Sequence, residues 1–122
     1  MKHTNFFYAL KTAFFGVRNL FMESRNARIQ LIVFLIVLLI GFYLGLTAQE
    51  WLWIMGVSAA VISMEAINTS IELLADVYTL EYNEKIKQVK DIAAGAVLLV
   101  SLFAVVVGIL VFLPHLSAMF PL

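Results

Sequence analysis

Long apolar runs alternate with short polar connections along this chain, and three of the runs are long enough to cross a membrane. They cover residues 29–46, 51–78 and 92–113. A helix needs about 20 predominantly apolar residues to span the hydrocarbon of a bilayer. Trp51 and Trp53 open the second run, as aromatic side chains often do at a membrane boundary. The pattern predicts an all-α membrane protein with three transmembrane helices, the last ending before Pro114.

A further helix is predicted before the first span, over residues 5–27, and its two faces differ in polarity. Its apolar side chains recur every three or four residues between Phe6 and Phe21. Lys11, Arg18 and Arg25 recur every seven residues and fall on the other side. Such a helix lies in the membrane interface with its cations near lipid headgroups, although a helix packed onto a soluble core has the same periodicity.

Composition supports the membrane interpretation and excludes several classes of function. The 122 residues are 63% hydrophobic with a mean hydropathy of +0.99, against the roughly 45–50% apolar residues of a soluble domain. This length predicts one domain over residues 1–122, so any activity must lie on the membrane helices and their flanks. Eight basic and eight acidic residues cancel, which gives no indication of a nucleic-acid partner. Cysteine is absent, and so are the common soluble nucleotide-binding and metalloprotease motifs.

The basic residues predict the orientation of the chain. Before the first span stand Lys2, Lys11, Arg18, Arg25 and Arg28, and between the second and third stand Lys85, Lys87 and Lys90. No other Lys or Arg occurs in the sequence. Because basic residues favour the cytoplasmic side, the N-terminus and the second connection are expected to be cytoplasmic and the C-terminus outside.

One face of the second predicted span is unusually polar. Its members are Glu65, Asn68, Glu72 and Asp76. At about 100° per residue they fall within an arc of roughly 80°. Acids at membrane depth cost a few kcal/mol each and normally mark a functional site that faces the protein. The alternative is that these side chains only join helices by hydrogen bonding, which suits Asn68 and Thr69 better than the acids.

Position along this face suggests separate roles for its two glutamates. Glu65 and Glu72 lie about 10 Å apart along the axis, too far to share one metal ion. The deeper Glu65 is the candidate base, and Glu72, nearer the cytoplasmic end, is the candidate Mg²⁺ ligand. At the start of the third span, Lys90 could meet phosphate oxygens and Asp91 could help to bind the metal. Ordinary helix capping explains that pair equally well.

Residues 65–72 (EAINTSIE), followed by Asp76 and by residues 90–97 (KDIAAGAV), resemble the signature of the prokaryotic diacylglycerol kinase and undecaprenol kinase family. The resemblance covers nearly the whole chain, including the spacing from Gly16 to Glu65. It implies a homotrimeric kinase of the bacterial inner membrane, with sites between subunits. Such a kinase transfers the γ-phosphoryl of MgATP to a lipid hydroxyl. Residues 90–97 and 111–114 are more similar to the undecaprenol kinase branch.

The resemblance also implies roles for individual residues. Glu65 is then the catalytic base and, with Arg18, part of the lipid site, while Glu72 binds Mg²⁺. The nucleotide site comprises Asn68, Glu72, Glu81, Tyr82, Asn83, Lys90 and Asp91.

This sequence departs from the family pattern at three positions. A second metal-binding glutamate is expected at position 24, where Ser24 stands next to Glu23. Gln30 stands where the family often has His or Glu, and Asn5 where it has Arg. Either Glu23 reaches the metal, or Glu72, phosphates and water hold it, or activity is reduced or lost.

Two other classes of function remain open on the residues alone. A small proton- or cation-coupled transporter also uses membrane carboxylates, but the outer half of the second span has no polar path. A catalytically silent membrane assembly protein is the other alternative, which the serine at position 24 leaves open.

Overall fold

The computed structural model describes residues 5–120, so Lys2 of the predicted topology lies outside it. Four helices follow one another: α1 (Phe6–Glu23), α2 (Arg25–Leu44), α3 (Ala48–Tyr78) and α4 (Glu84–Met119). The described residues contain no strand. Helices α2, α3 and α4 are each long and apolar enough to cross a membrane. The all-α prediction with three spans is therefore confirmed.

The three spanning helices differ in length. α2 has 20 residues, α3 has 31 and α4 has 36. At 1.5 Å per residue these are roughly 30, 46 and 54 Å long, and the hydrocarbon is about 30 Å thick. α2 therefore just spans it, whereas α3 and α4 must project beyond it or tilt.

The break between α1 and α2 falls at Ser24, earlier than the predicted end of the first helix at residue 27. Ser24 has extended backbone (φ −105°, ψ 111°), and its Oγ accepts a hydrogen bond from Ala27 N at 3.0 Å. Arg28 closes the preceding helix by donating to the carbonyl oxygens of Phe21 and Met22 at 2.7 and 3.1 Å. Serine is a favoured N-cap residue because its oxygen satisfies an otherwise unpaired backbone N–H.

α4 is longer at both ends than the predicted span 92–113. It begins within the predicted polar connection because Asn83 Oδ1 accepts from two backbone N–H groups of the first turn. The expectation that Pro114 ends the helix is wrong. Proline removes a single N–H donor, which helices in membranes tolerate, and α4 continues to Met119. Beyond the proline, His115 Nε2 lies 2.9 Å from Glu50 Oε2 at the start of α3.

A buried apolar cluster lies at the end of the bundle where α2 passes into α3. It consists of Leu46, Ile54, Val57, Val107 and Val111. α3 and α4 pack against each other there. Beside the cluster, the lack of a side chain on Gly41 admits the Trp51 ring, because a Cβ would lie 2.6 Å from Trp51 Cη2. The polar residues of α3 are gathered towards the opposite end.

Candidate active site

The carboxylate of Glu65 is held between α3 and the beginning of α2. Only 3% of the residue is exposed. Ser24 Oγ donates to Glu65 Oε1 at 3.2 Å, and Gln30 Nε2 donates to Glu65 Oε2 at 3.4 Å. Both oxygens of this buried acid thus meet uncharged donors. Each still has a further lone pair with which it can accept a proton or another hydrogen bond.

Contact with Ser24 fixes the level of Glu65 along the bundle. Ser24 immediately precedes α2, whose 20 residues just match the hydrocarbon thickness. Glu65 therefore lies level with the start of α2. The part of α3 beyond it carries Glu72 and Asp76, and both of these residues are exposed.

Asn68 and Glu72 form the next layer along the same face of α3. Asn68 Nδ2 donates to Glu72 Oε1 at 3.2 Å. Asn68 is buried and its Oδ1 has no partner among the described residues, whereas Glu72 is exposed. Carboxylate and amide oxygens suit a hard cation such as Mg²⁺. Over residues 5–120 no three His, Cys, Asp or Glu side chains converge on one point, so phosphate or water would have to complete such a site.

Charged residues pair where α3 ends and α4 begins. Lys90 Nζ lies 2.8 Å from Asp76 Oδ1, and Lys87 Nζ lies 2.6 Å from Asp91 Oδ2. All four side chains are at least one-third exposed, so these pairs are open to water and exchangeable. The structure thus brings Lys90 to the polar face of α3, while Asp91 pairs within its own helix.

The other predicted site residues are more dispersed in the single chain. Glu81 and Tyr82 are exposed in the connection between α3 and α4, where Asn83 caps the following helix. Arg18 is exposed on α1, and Glu23 is exposed at the end of that helix. Neither of these two side chains forms a hydrogen bond or ion pair with another residue of the described part. Their assignments to the lipid and metal sites stay predictions.

An apolar cleft of about 370 Å³ runs between the three spanning helices, and Gln30 lies on its wall. Its other walls are hydrophobic apart from Ser58 and Ser101. Since Gln30 also contacts Glu65, the cleft comes close to the buried carboxylate. The space suits a hydrocarbon chain that continues from a polar group at the level of Glu65.

Sequence reasoning missed the contacts of Ser24 and Gln30 with Glu65. In the sequence both residues stand out only as departures from a family pattern. A serine at the boundary between an amphipathic segment and an apolar run is an N-cap signal, and it could have located the helix break. No sequence signal indicated that the same hydroxyl would reach across to α3.

Fold and site together define a small helical membrane protein with a buried acid level with the start of α2 and further acids beyond it on α3. The family model of prokaryotic diacylglycerol kinase matches residues 11–112. An undecaprenol kinase from Bacillus subtilis is 32% identical over 111 residues, which are 91% of this chain and 90% of that protein. A diacylglycerol kinase from Synechocystis is 34% identical over 116 residues, which are 94% of this chain and 66% of that protein. The chain belongs to the prokaryotic diacylglycerol kinase family and is a lipid kinase.

Proposed function

We propose that this protein transfers the γ-phosphoryl group of MgATP to the hydroxyl of a membrane lipid alcohol, and that undecaprenol is preferred to diacylglycerol. The observation that carries the proposal is the position of Glu65. Its carboxylate is buried level with the start of α2, and it is fixed by hydrogen bonds to Ser24 and Gln30. With α2 spanning the hydrocarbon, a lipid alcohol anchored in the bilayer would carry its hydroxyl near this level.

In the proposed mechanism Glu65 is the general base. The lipid hydroxyl gives its proton to a free lone pair of the carboxylate as its oxygen attacks the γ-phosphorus, and the bond from that phosphorus to ADP breaks. Phosphoryl transfer needs little from the protein beyond placing the nucleophile in line and stabilising charge. Arg18 is assigned to the lipid site from the family pattern, and the apolar cleft beside Gln30 is suited to the hydrocarbon chain.

The nucleotide is proposed to lie at the projecting ends of α3 and α4. Glu72 would hold Mg²⁺, which when bound neutralises charge on the phosphate oxygens, and Asn68 beside it would contribute to the nucleotide site. Glu23, at the end of α1, is a second candidate ligand in an assembled protein. Lys90 can exchange its exposed partner Asp76 for phosphate oxygens. The other proposed nucleotide contacts are Glu81, Tyr82, Asn83 and Asp91.

The preference for undecaprenol is supported by residues 90–97 and 111–114, which are similar to the undecaprenol kinase branch. We expect a higher kcat/KM for undecaprenol when both lipids are offered at equal mole fraction in the same detergent micelles with MgATP. Preferential phosphorylation of diacylglycerol would reverse the substrate assignment, and phosphorylation of neither lipid would refute the proposed function.

The proposal places the protein in the bacterial inner membrane as one domain, with the N-terminus cytoplasmic and the C-terminus outside. α1 would lie in the interface, its exposed phenylalanines towards lipid and its basic residues towards headgroups. This orientation brings the projecting ends of α3 and α4 into the cytosol, where ATP is present.

We further propose a homotrimer with its sites between subunits. In the single chain Glu72 remains exposed and the oxygen of the buried Asn68 has no partner among the described residues. A neighbouring subunit could cover this face and supply further contacts to the nucleotide. Native mass spectrometry in mild detergent is expected to give three copies of the chain, with SDS-dissociated protein as the monomer control. A protein that remains monomeric while active would contradict the proposed assembly.

A further inference from the structure

Ser24 occupies a position from which one hydroxyl contacts two parts of the fold. The residue is 7% exposed and lies between α1 and α2. Its Oγ accepts from Ala27 N at 3.0 Å and donates to Glu65 Oε1 at 3.2 Å. A hydroxyl has one donor hydrogen and two acceptor lone pairs, so both bonds can form at once. The cap of α2 is thereby joined directly to the buried acid of α3.

Gln30 holds the second oxygen of the same carboxylate. Its Nε2 donates to Glu65 Oε2 at 3.4 Å from the second turn of α2. A glutamate side chain has three rotatable bonds, and a donor on each oxygen restricts both its position and the rotation of its carboxylate plane. The donors are uncharged, so the carboxylate can be held in place without a fixed cation on either oxygen.

We infer that Ser24 is a positioning residue for phosphoryl transfer, holding the Glu65 carboxylate towards the lipid hydroxyl together with Gln30. This inference rests on the proposed role of Glu65 as the base. The family pattern has a metal-binding glutamate at position 24. In this chain the residue at that position has a different role. In this role Ser24 acts through Glu65. Its loss should therefore lower kcat and leave the KM for ATP unchanged.

A purely structural role for Ser24 makes a different prediction. If its hydroxyl served only as the cap of α2, its removal would loosen the fold equally whether or not Glu65 can accept a proton. Thr47 provides the matched control, because its side chain caps α3 by accepting from Glu50 N at 3.2 Å. Thr47→Ala thus removes a comparable cap at the far end of the bundle from Glu65.

The test is a double-mutant cycle on kcat, with wild type, Ser24→Ala, Glu65→Gln and the double variant assayed in the same lipid micelles at saturating MgATP. We expect Ser24→Ala to lower kcat about tenfold, as loss of a hydrogen bond to a charged group would, with the KM for ATP within twofold of wild type. In the Glu65→Gln background, Ser24→Ala should have no further effect, because the group that it positions no longer takes the proton.

Two more variants, together with the Thr47→Ala control, separate positioning from capping. Gln30→Met keeps the length of the side chain, lacks the donor and is not a cap, and it should also lower kcat only when Glu65 is present. Ser24→Thr keeps the hydroxyl and should retain most of the kcat, while Thr47→Ala should keep kcat near wild type. If Ser24→Ala lowered kcat equally in both backgrounds, or did not lower it with Glu65 present, the positioning role of Ser24 would be overturned. The proposed role of Glu65 as the base would be unaffected. Near-normal turnover of Glu65→Gln would overturn the proposed base and this inference with it.

Discussion

Glu65→Gln is expected to lower lipid phosphorylation by about 10²–10⁴-fold, the usual contribution of a general base. Glutamine keeps the size of the side chain, and its single oxygen can still accept a hydrogen bond from either Ser24 or Gln30, but it cannot take the proton. Folding, assembly and MgATP affinity should therefore be retained. Turnover and nucleotide affinity, measured on one preparation of the variant, separate the chemical step from binding.

Glu50→Gln is the matched control for this change. It makes the same substitution on the same helix, but at the end where Glu50 lies against His115. Its turnover should resemble that of wild type. If Glu65→Gln also turned over normally, Glu65 would not be the base, and if it lost nucleotide binding instead, Glu65 would belong to the ATP site.

Glu72→Gln is expected to raise the Mg²⁺ concentration needed for half-maximal activity by at least about tenfold. Even residues that only support metal ligands typically change metal affinity by 10–100-fold, and the amide loses the charge that attracts the cation. The Asn68 hydrogen bond to position 72 can persist, since a glutamine oxygen can also accept it. A Mg²⁺ titration of initial rates at fixed ATP measures the effect.

Glu84→Gln serves as the control for general electrostatics, because Glu84 is an exposed acid in the first turn of α4 at the same end of the molecule. It should leave the Mg²⁺ titration unchanged. A Glu72→Gln variant with wild-type Mg²⁺ dependence would reject Glu72 as the ligand and favour Glu23 or phosphate and water alone.

The spanning helices were predictable because uninterrupted apolar runs have few alternatives in a chain of this composition. The ends of the helices were less predictable. The break at Ser24 depends on one hydroxyl, and the extension of α4 back to Glu84 depends on the cap at Asn83. Pro114 predicts a helix end because proline disrupts soluble helices, but α4 continues through it.

The polar face of α3 was also predictable, because residues three and four apart must share a helix face. The hydrogen bond between Asn68 and Glu72 has this spacing. Contacts between helices were not predictable from the sequence, since they depend on how far one helix is shifted along another. The bonds from Ser24 and Gln30 to Glu65 are of this kind, and so is the ion pair of Lys90 with Asp76.

The position of Glu65 relative to α2 came only from the structure. The sequence places Glu65 well inside a predicted span of residues 51–78. Its contact with Ser24 sets the buried carboxylate beside the start of α2.

The transfer of label from γ-³²P-ATP to lipid tests the central claim most directly. Purified protein in undecaprenol-containing micelles with Mg²⁺ is expected to form one labelled lipid phosphate for each ADP released. Omission of Mg²⁺ or replacement of Glu65 by glutamine should suppress both products together. Release of ADP with labelled inorganic phosphate and no labelled lipid would contradict the account.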